Sequence, residues 1–123
     1  LAANPRITAI GTGGIMYPTV NGFLGCAAIQ VIRKYSFDRA FIGSCGIDIM
    51  DRTVTTLGVE DGLTKKAAIE SSRHKYAVME REKFYFNESY KFTQLDELDG
   101  IITDEFPDQS VQDMLDSLEV TLY

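Results

Sequence analysis

The stretch from Phe37 to Val59 constrains this chain more than any other. It opens as a short apolar run, Ala40 to Ile42, stops at Gly43, and is freed again at Gly46 before Ile47-Asp48. A run this short, bounded by glycines, reads as a buried strand that ends in a loop. The next stretch, Gly58 to Ser72, reads as a helix that carries the chain back. A strand closing on a glycine-bracketed loop before a return helix suits an α/β protein. There the backbone N–H groups of such a loop can be offered to an anion. Packing alone also accounts for glycines in these places.

The rest of the chain repeats the alternation. Arg6 to Gly11 is expected as a strand that stops at Thr12-Gly13-Gly14, where a glycine pair fits a plain turn and a phosphate nest alike. Ile15 to Asn21 is expected to be extended, because Pro18 disfavours helix in the residue before it. From Gly25 to Lys34, Ala28, Ile29, Val31 and Ile32 recur at helical spacing. Asp48 to Thr56 reads as a polar surface loop, and Glu60 to Ser72 as the body of the return helix. In it Asp61 stands four residues before Lys65, and Glu70 four before His74 if the helix reaches that far. Tyr76 to Met79 reads as a strand ending at Glu80-Arg81-Glu82-Lys83, with a turn at Asn87-Glu88-Ser89 and one helical turn from Leu95 to Asp99. Gly100 to Thr103 is a further strand, Pro107 to Leu118 a helix with Val111, Met114, Leu115 and Leu118 on one face, and Glu119 to Tyr123 a last strand.

Strands separated by helices predict a mainly parallel, Rossmann-like sheet with helices on both faces and right-handed crossovers. Ligands of such sheets bind outside the carboxyl ends of the strands. On this reading Gly11–Gly14, Gly43–Gly46, Glu80–Lys83 and Thr103–Asp104 share one edge.

Composition narrows the function. At 123 residues the chain is read as one domain, 1–123. A net charge of -6 would repel the phosphates of nucleic acid and an anionic membrane surface. No apolar run approaches the roughly 20 residues of a membrane span. Cys26 and Cys45 are isolated from each other and His74 is alone, so no metal site and no cofactor is expected. Both cysteines are expected as buried free thiols, which fits a cytoplasmic setting. The chain opens Leu-Ala-Ala-Asn-Pro without an initiator Met or a signal peptide, which suggests a fragment of a longer protein.

Gly13-Gly14, then Gly25 before a helix, then Arg39-Ala40-Phe41-Ile42-Gly43 and Gly46-Ile47-Asp48 together resemble the effector-binding domain of DeoR-type transcriptional repressors. The likeness continues through Val54-Thr55-Thr56, Asp61 with Lys65, and Ile102-Thr103-Asp104, and so covers nearly the whole chain. It implies a sheet related to ribose-5-phosphate isomerase and a phosphorylated sugar as effector. It also implies homo-oligomeric assembly and DNA binding by a winged helix-turn-helix domain before Leu1. The family's first strand, which usually carries an Asp-x-Gly-x-Thr phosphate loop, is likewise expected before Leu1.

Two positions depart from the family. Its usual Asp between the two glycines is Cys45 here, and its usual Asp-Ser-Ser-Lys-Phe phrase reads Glu80-Arg81-Glu82-Lys83-Phe84. The resemblance makes Gly13, Gly14, Gly43, Ser44, Cys45, Gly46, Asp48, Lys83 and Asp104 the candidate effector-binding residues, with no catalytic residue. The glycines and Ser44 would give backbone donors and Lys83 a point charge to a phosphate. Asp48 and Asp104 would accept sugar hydroxyls or cap turns. Lys83 is otherwise a surface lysine. Two rival readings stand beside this one: a sugar-phosphate isomerase or deaminase, and an oligomerisation domain with a decayed site. The first needs a carboxylate base; Cys45 is a poor substitute, and Asp48 would have to serve.

Overall fold

The computed structural model describes residues 3–44 and 46–123. Its elements run β1 (Ile15–Tyr17), β2 (Gly22–Leu24), α1 (Cys26–Ile32), β3 (Phe37–Gly43), β4 (Gly46–Asp48), β5 (Thr53–Thr56), α2 (Val59–Glu70) and β6 (Ser72–Met79). They continue as a 3-10 turn (Arg81–Tyr85), β7 (Tyr90–Gln94), a second 3-10 turn (Leu95–Glu97), β8 (Gly100–Thr103), α3 (Gln109–Ser117) and β9 (Thr121–Leu122). The α/β reading holds, and its centre is a parallel four-stranded sheet in the order β3-β6-β8-β9. Ile42 lies opposite Ala77, Ala77 opposite Ile101, and Ile101 opposite Leu122.

One face of that sheet makes the core. Side chains alternate along a strand, and Ala40, Ile42, Ala77, Met79 and Ile101 point to the same side, where they meet Ile69 of α2 and Val111 and Leu115 of α3. α3 buries its Val111/Leu115 stripe, spaced four apart, as the sequence predicted. The other face, with Phe41 and Val78, is open.

A second sheet lies between the parallel strands in sequence. It is antiparallel, in the order β4-β5-β7, and sends Ile47, Val54 and Phe92 into the same core. The Asp48–Thr56 segment is therefore not a surface loop throughout. Thr53 to Thr56 form a strand that is buried along its whole length and flanked on both sides. β-branched threonines suit a strand interior, and Thr56 Oγ1 meets its burial by donating to Asp61 Oδ2 at 2.6 Å.

Three other expectations change. Arg6–Gly11 forms no strand: it is exposed throughout and no described strand pairs with it. Apolar composition does not make a strand without a neighbour to take its N–H and C=O groups. α2 ends at Glu70, so Glu70 reaches Arg33 at 3.0 Å, while His74 sits on β6 with Nδ1 4.0 Å from Asp99. Cys26 is exposed at the first turn of α1 rather than buried, because α1 turns Ala28 and Ile32 inward instead. Cys45 lies outside the described residues.

Candidate functional site

Strands β3, β6 and β8 are parallel, so their carboxyl ends open on one edge. A cavity of about 510 Å³ lies there, lined by Gly43, Ser44, Val78, Met79, Glu80, Lys83, Ile102, Thr103 and Asp104. Its size is that of a small-molecule site. Three of the expected strand-end loops meet in it. The fourth, Gly11–Gly14, is not part of its lining.

Each wall has a local cause. Ser44 leaves the end of β3, and its hydroxyl spans the turn: Oγ accepts from Gly46 N at 3.2 Å and donates to Gly46 O at 3.0 Å. Lys83 is carried by the 3-10 turn after β6, half-buried, with Nζ 5.1 Å from the centre of the Phe86 ring. No described carboxylate forms an ion pair with it, so its charge is available to an incoming anion.

Arg81 holds that turn in place. Its backbone N–H donates to Asp104 Oδ1 at 2.8 Å, its Nε donates to the Phe106 carbonyl at 3.0 Å, and its guanidinium reaches Asp108 at 3.1 Å. The charged Glu80-Arg81-Glu82 segment thus contains a brace between the Lys83 turn and the loop after β8. Nothing in the spacing of those residues showed it.

Asp104 Oδ1 also accepts from Glu105 N at 2.9 Å and from the Thr103 hydroxyl at 3.2 Å. The Arg81 N–H first, then these two donors, hold the Asp104 carboxyl below its ordinary value. Asp104 is therefore ionised at neutral pH and caps the turn through one oxygen.

The remaining candidates stand elsewhere. Asp48 ends β4, accepts from Asp51 N at 3.0 Å and from Asn87 Nδ2 at 3.2 Å, and has Lys91 Nζ at 3.7 Å. The Asp51 N–H leads in pulling its pKa down. It is a turn and sheet residue outside the cavity lining. Gly46 is buried in β4, where an added Cβ would come within 2.2 Å of the Phe86 carbonyl oxygen. Gly13 and Gly14 take φ of 68° and 100°, and Gly14 lies against the start of α1 near Ala27 and Ala28. The lining residues that sequence reading missed are Val78, Met79 and Ile102; Glu80 and Thr103 lie in the expected strand-end loops but were not among the candidate binding residues. Val78 and Ile102 were findable, since they occupy the strand positions that alternate with the core set.

α2 is fixed to β5 by Asp61, which accepts from Thr56, is 8% exposed and also pairs with Lys65 at 2.7 Å. Asp61 therefore locks helix to strand, while Lys65 balances its charge from the same helix. They do not line the cavity.

A parallel sheet with a cavity at its strand ends is the arrangement in which α/β domains hold small molecules. The sequence profile described as "DeoR C terminal sensor domain" matches residues 1–105, and the chain belongs to that family. Among similar proteins, the "HTH-type transcriptional repressor GlcR" of Bacillus subtilis is 32% identical over 98 residues, covering 80% of this chain and 37% of that protein. The "Glycerol-3-phosphate regulon repressor" of Escherichia coli is 29% identical over 110 residues, covering 89% and 43%. The "Lactose phosphotransferase system repressor" of Staphylococcus epidermidis is 27% identical over 92 residues, covering 75% and 36%. The chain spans about two fifths of the length of these relatives. Among the described residues no helix is long and apolar enough to cross a membrane.

Proposed function

We propose that this domain binds a phosphorylated sugar at the carboxyl ends of β3, β6 and β8, without catalysis. In the intact protein, binding would alter the grip of an N-terminal helix-turn-helix domain on DNA. One observation carries the reading: Lys83, free of any ion pair with a described residue, stands in a cavity whose other polar groups are Ser44, Glu80, Thr103 and Asp104. The lysine suits a phosphate as a point charge. The carboxylates accept only, and so suit sugar hydroxyls. An isomerase would need a carboxylate base beside its substrate. Asp48, the base which that reading needs, is occupied by Asp51, Asn87 and Lys91. Relatives named as repressors of a glycerol-3-phosphate regulon and of a lactose phosphotransferase system add weight to a regulatory role. The protein would work in the cytoplasm as a homo-oligomer, the effector shifting the population of a conformation that sets the DNA-binding domains.

Thermal unfolding of the intact protein against a panel of phosphorylated and unphosphorylated sugars tests this. A matching sugar phosphate at about 100 times its Kd should add about 2.7 kcal/mol of stability. Lys83→Ala should weaken that ligand by roughly tenfold to a hundredfold, the weight of one charge-assisted contact. Stabilisation by no sugar phosphate, or an unchanged response in Lys83→Ala, sinks the proposal.

A further inference from the structure

Two polar groups of the cavity stand on different strand-end segments. Lys83 is on the 3-10 turn after β6, and Asp104 is on the loop after β8. The two strands run side by side only as far as Met79, which lies opposite Thr103 in their last pair. Beyond that pair the sheet no longer fixes one segment against the other.

Arg81 takes over that task. Among the described residues four hydrogen bonds join the 3-10 turn to residues 104–108. Three of them come from Arg81: its N–H to Asp104 Oδ1, its Nε to the Phe106 carbonyl and its guanidinium to Asp108 Oδ1. In the fourth, Asp108 N donates to the Tyr85 hydroxyl at 2.9 Å, and the guanidinium lies 5.9 Å from the centre of that same ring. The turn is itself anchored by Phe84, which is fully buried in the core. The core therefore holds the turn, and Arg81 holds the loop to the turn.

Stability does not account for this arrangement. The Arg81 and Asp108 side chains are 40% and 64% exposed, and ion pairs at such exposure add little to folding. Their consequence is geometric. A planar guanidinium carries its donors on a rigid fork, and so fixes a distance and an angle together. A ligand held at one end by a cation and at the other by a hydroxyl acceptor gains from the second contact only if the two stand at the right separation. Arg81 is not part of the cavity lining, so its effect on a ligand runs through Lys83, Thr103 and Asp104, which are.

We propose that Arg81 is a positioning residue for the effector. It sets the separation of Lys83 from Thr103 and Asp104, and through that separation the affinity and choice of phosphorylated sugar. The proposal rests on the reading of this cavity as a sugar-phosphate site. The charged Glu80-Arg81-Glu82 segment then belongs to a site that is tuned rather than decayed.

The test compares the intact protein with its Arg81→Ala variant. The probes are the member of a pentose and hexose phosphate panel that stabilises the parent most, and inorganic phosphate as its competitor. Inorganic phosphate can use Lys83 but cannot reach across to Asp104. Arg81→Ala should weaken the sugar phosphate by roughly tenfold to a hundredfold, and change the inhibition constant of inorganic phosphate by less than about twofold. The Tm of the unliganded variant should fall by less than about 5 °C. Arg81→Lys restores the charge but not the fork, and should recover only part of the affinity. Asp108→Asn weakens the same contact from the other side, and adding it to Arg81→Ala should cost little more. Equal weakening of both probes would make Arg81 a prop of Lys83 alone, and an unchanged sugar phosphate would leave it no part in binding. Either result, or no competition by inorganic phosphate in the parent, overturns the proposal. Failure of every sugar phosphate to stabilise the parent instead removes the reading beneath it, and the proposal falls with that reading.

Discussion

Two loops of this chain follow apolar stretches and carry glycines, and they end in different surroundings. Gly43 to Gly46 closes β3, a paired strand, and its Gly43 and Ser44 line the cavity. Gly13-Gly14 follows Arg6–Gly11, which pairs with no described strand, and Gly14 packs on the start of α1. The glycines of the two loops also serve different ends. Gly13 and Gly14 are in left-handed conformations, whereas Gly46 is needed because the Phe86 backbone leaves no room for a side chain. A glycine after an apolar run therefore marks a place where the backbone is unusual or crowded. Of the two loops, the one that lines the cavity is the one whose preceding strand is held in a sheet.

Substitution at these glycines puts the contrast to the test. The largest effect belongs to Gly46→Ala. Its methyl would lie 2.2 Å from the Phe86 carbonyl oxygen and 2.7 Å from the carbonyl carbon, and backbone cannot swing aside. Overpacking of this kind costs about 3 kcal/mol, which denaturant or thermal unfolding would register as a fall of roughly 10 °C in Tm. Gly13→Ala should cost about 1 kcal/mol, the strain of a left-handed φ alone, because nothing lies within 4 Å of the added carbon. Equal losses at the two positions would break the distinction between crowding and backbone conformation.

The smallest effect concerns the rim of the cavity. Asp104 has a depressed pKa, led by the Arg81 N–H, so it stabilises the fold above its unfolded pKa of about 3.9. That contribution fades as pH falls through the lower folded value. Asp104→Asn should flatten the loss of stability with acid in that window and change little at pH 7. Asp48, shifted the same way by the Asp51 N–H, should keep part of the slope. An acid unfolding curve for Asp104→Asn that matches the parent's would remove Asp104 as a charged brace.

Much of the fold was legible because periodicity reports burial. The Ala40–Ile42 run, the helical spacing from Val111 to Leu118 and the strand at Gly100–Thr103 each appear where the pattern put them. The antiparallel sheet was missed because Thr53-Val54-Thr55-Thr56 is polar by composition, though β-branched in shape. Its threonines are buried beside distant segments, among them β7, whose pairing with β5 spans some forty residues. The site divided in the same way. Strand-end positions such as Gly43, Lys83 and Asp104 follow from topology once the strands are known. The Arg81 brace depends on side-chain reach between two loops, and local sequence carries no trace of that.

The short connection from β3 to β4 has a mechanical meaning. Only Ser44 and Cys45 separate the two strands, a span of at most about 10 Å from Gly43 to Gly46 even fully stretched. Beyond it, Ile47 N donates to the Phe86 carbonyl at 2.7 Å, and Phe86 immediately follows the turn that carries Lys83. Ser44 and Lys83, both lining the cavity, are therefore joined by a short path that crosses the Ile47–Phe86 hydrogen bond. A molecule that drew one wall inward would pull on the other through that path.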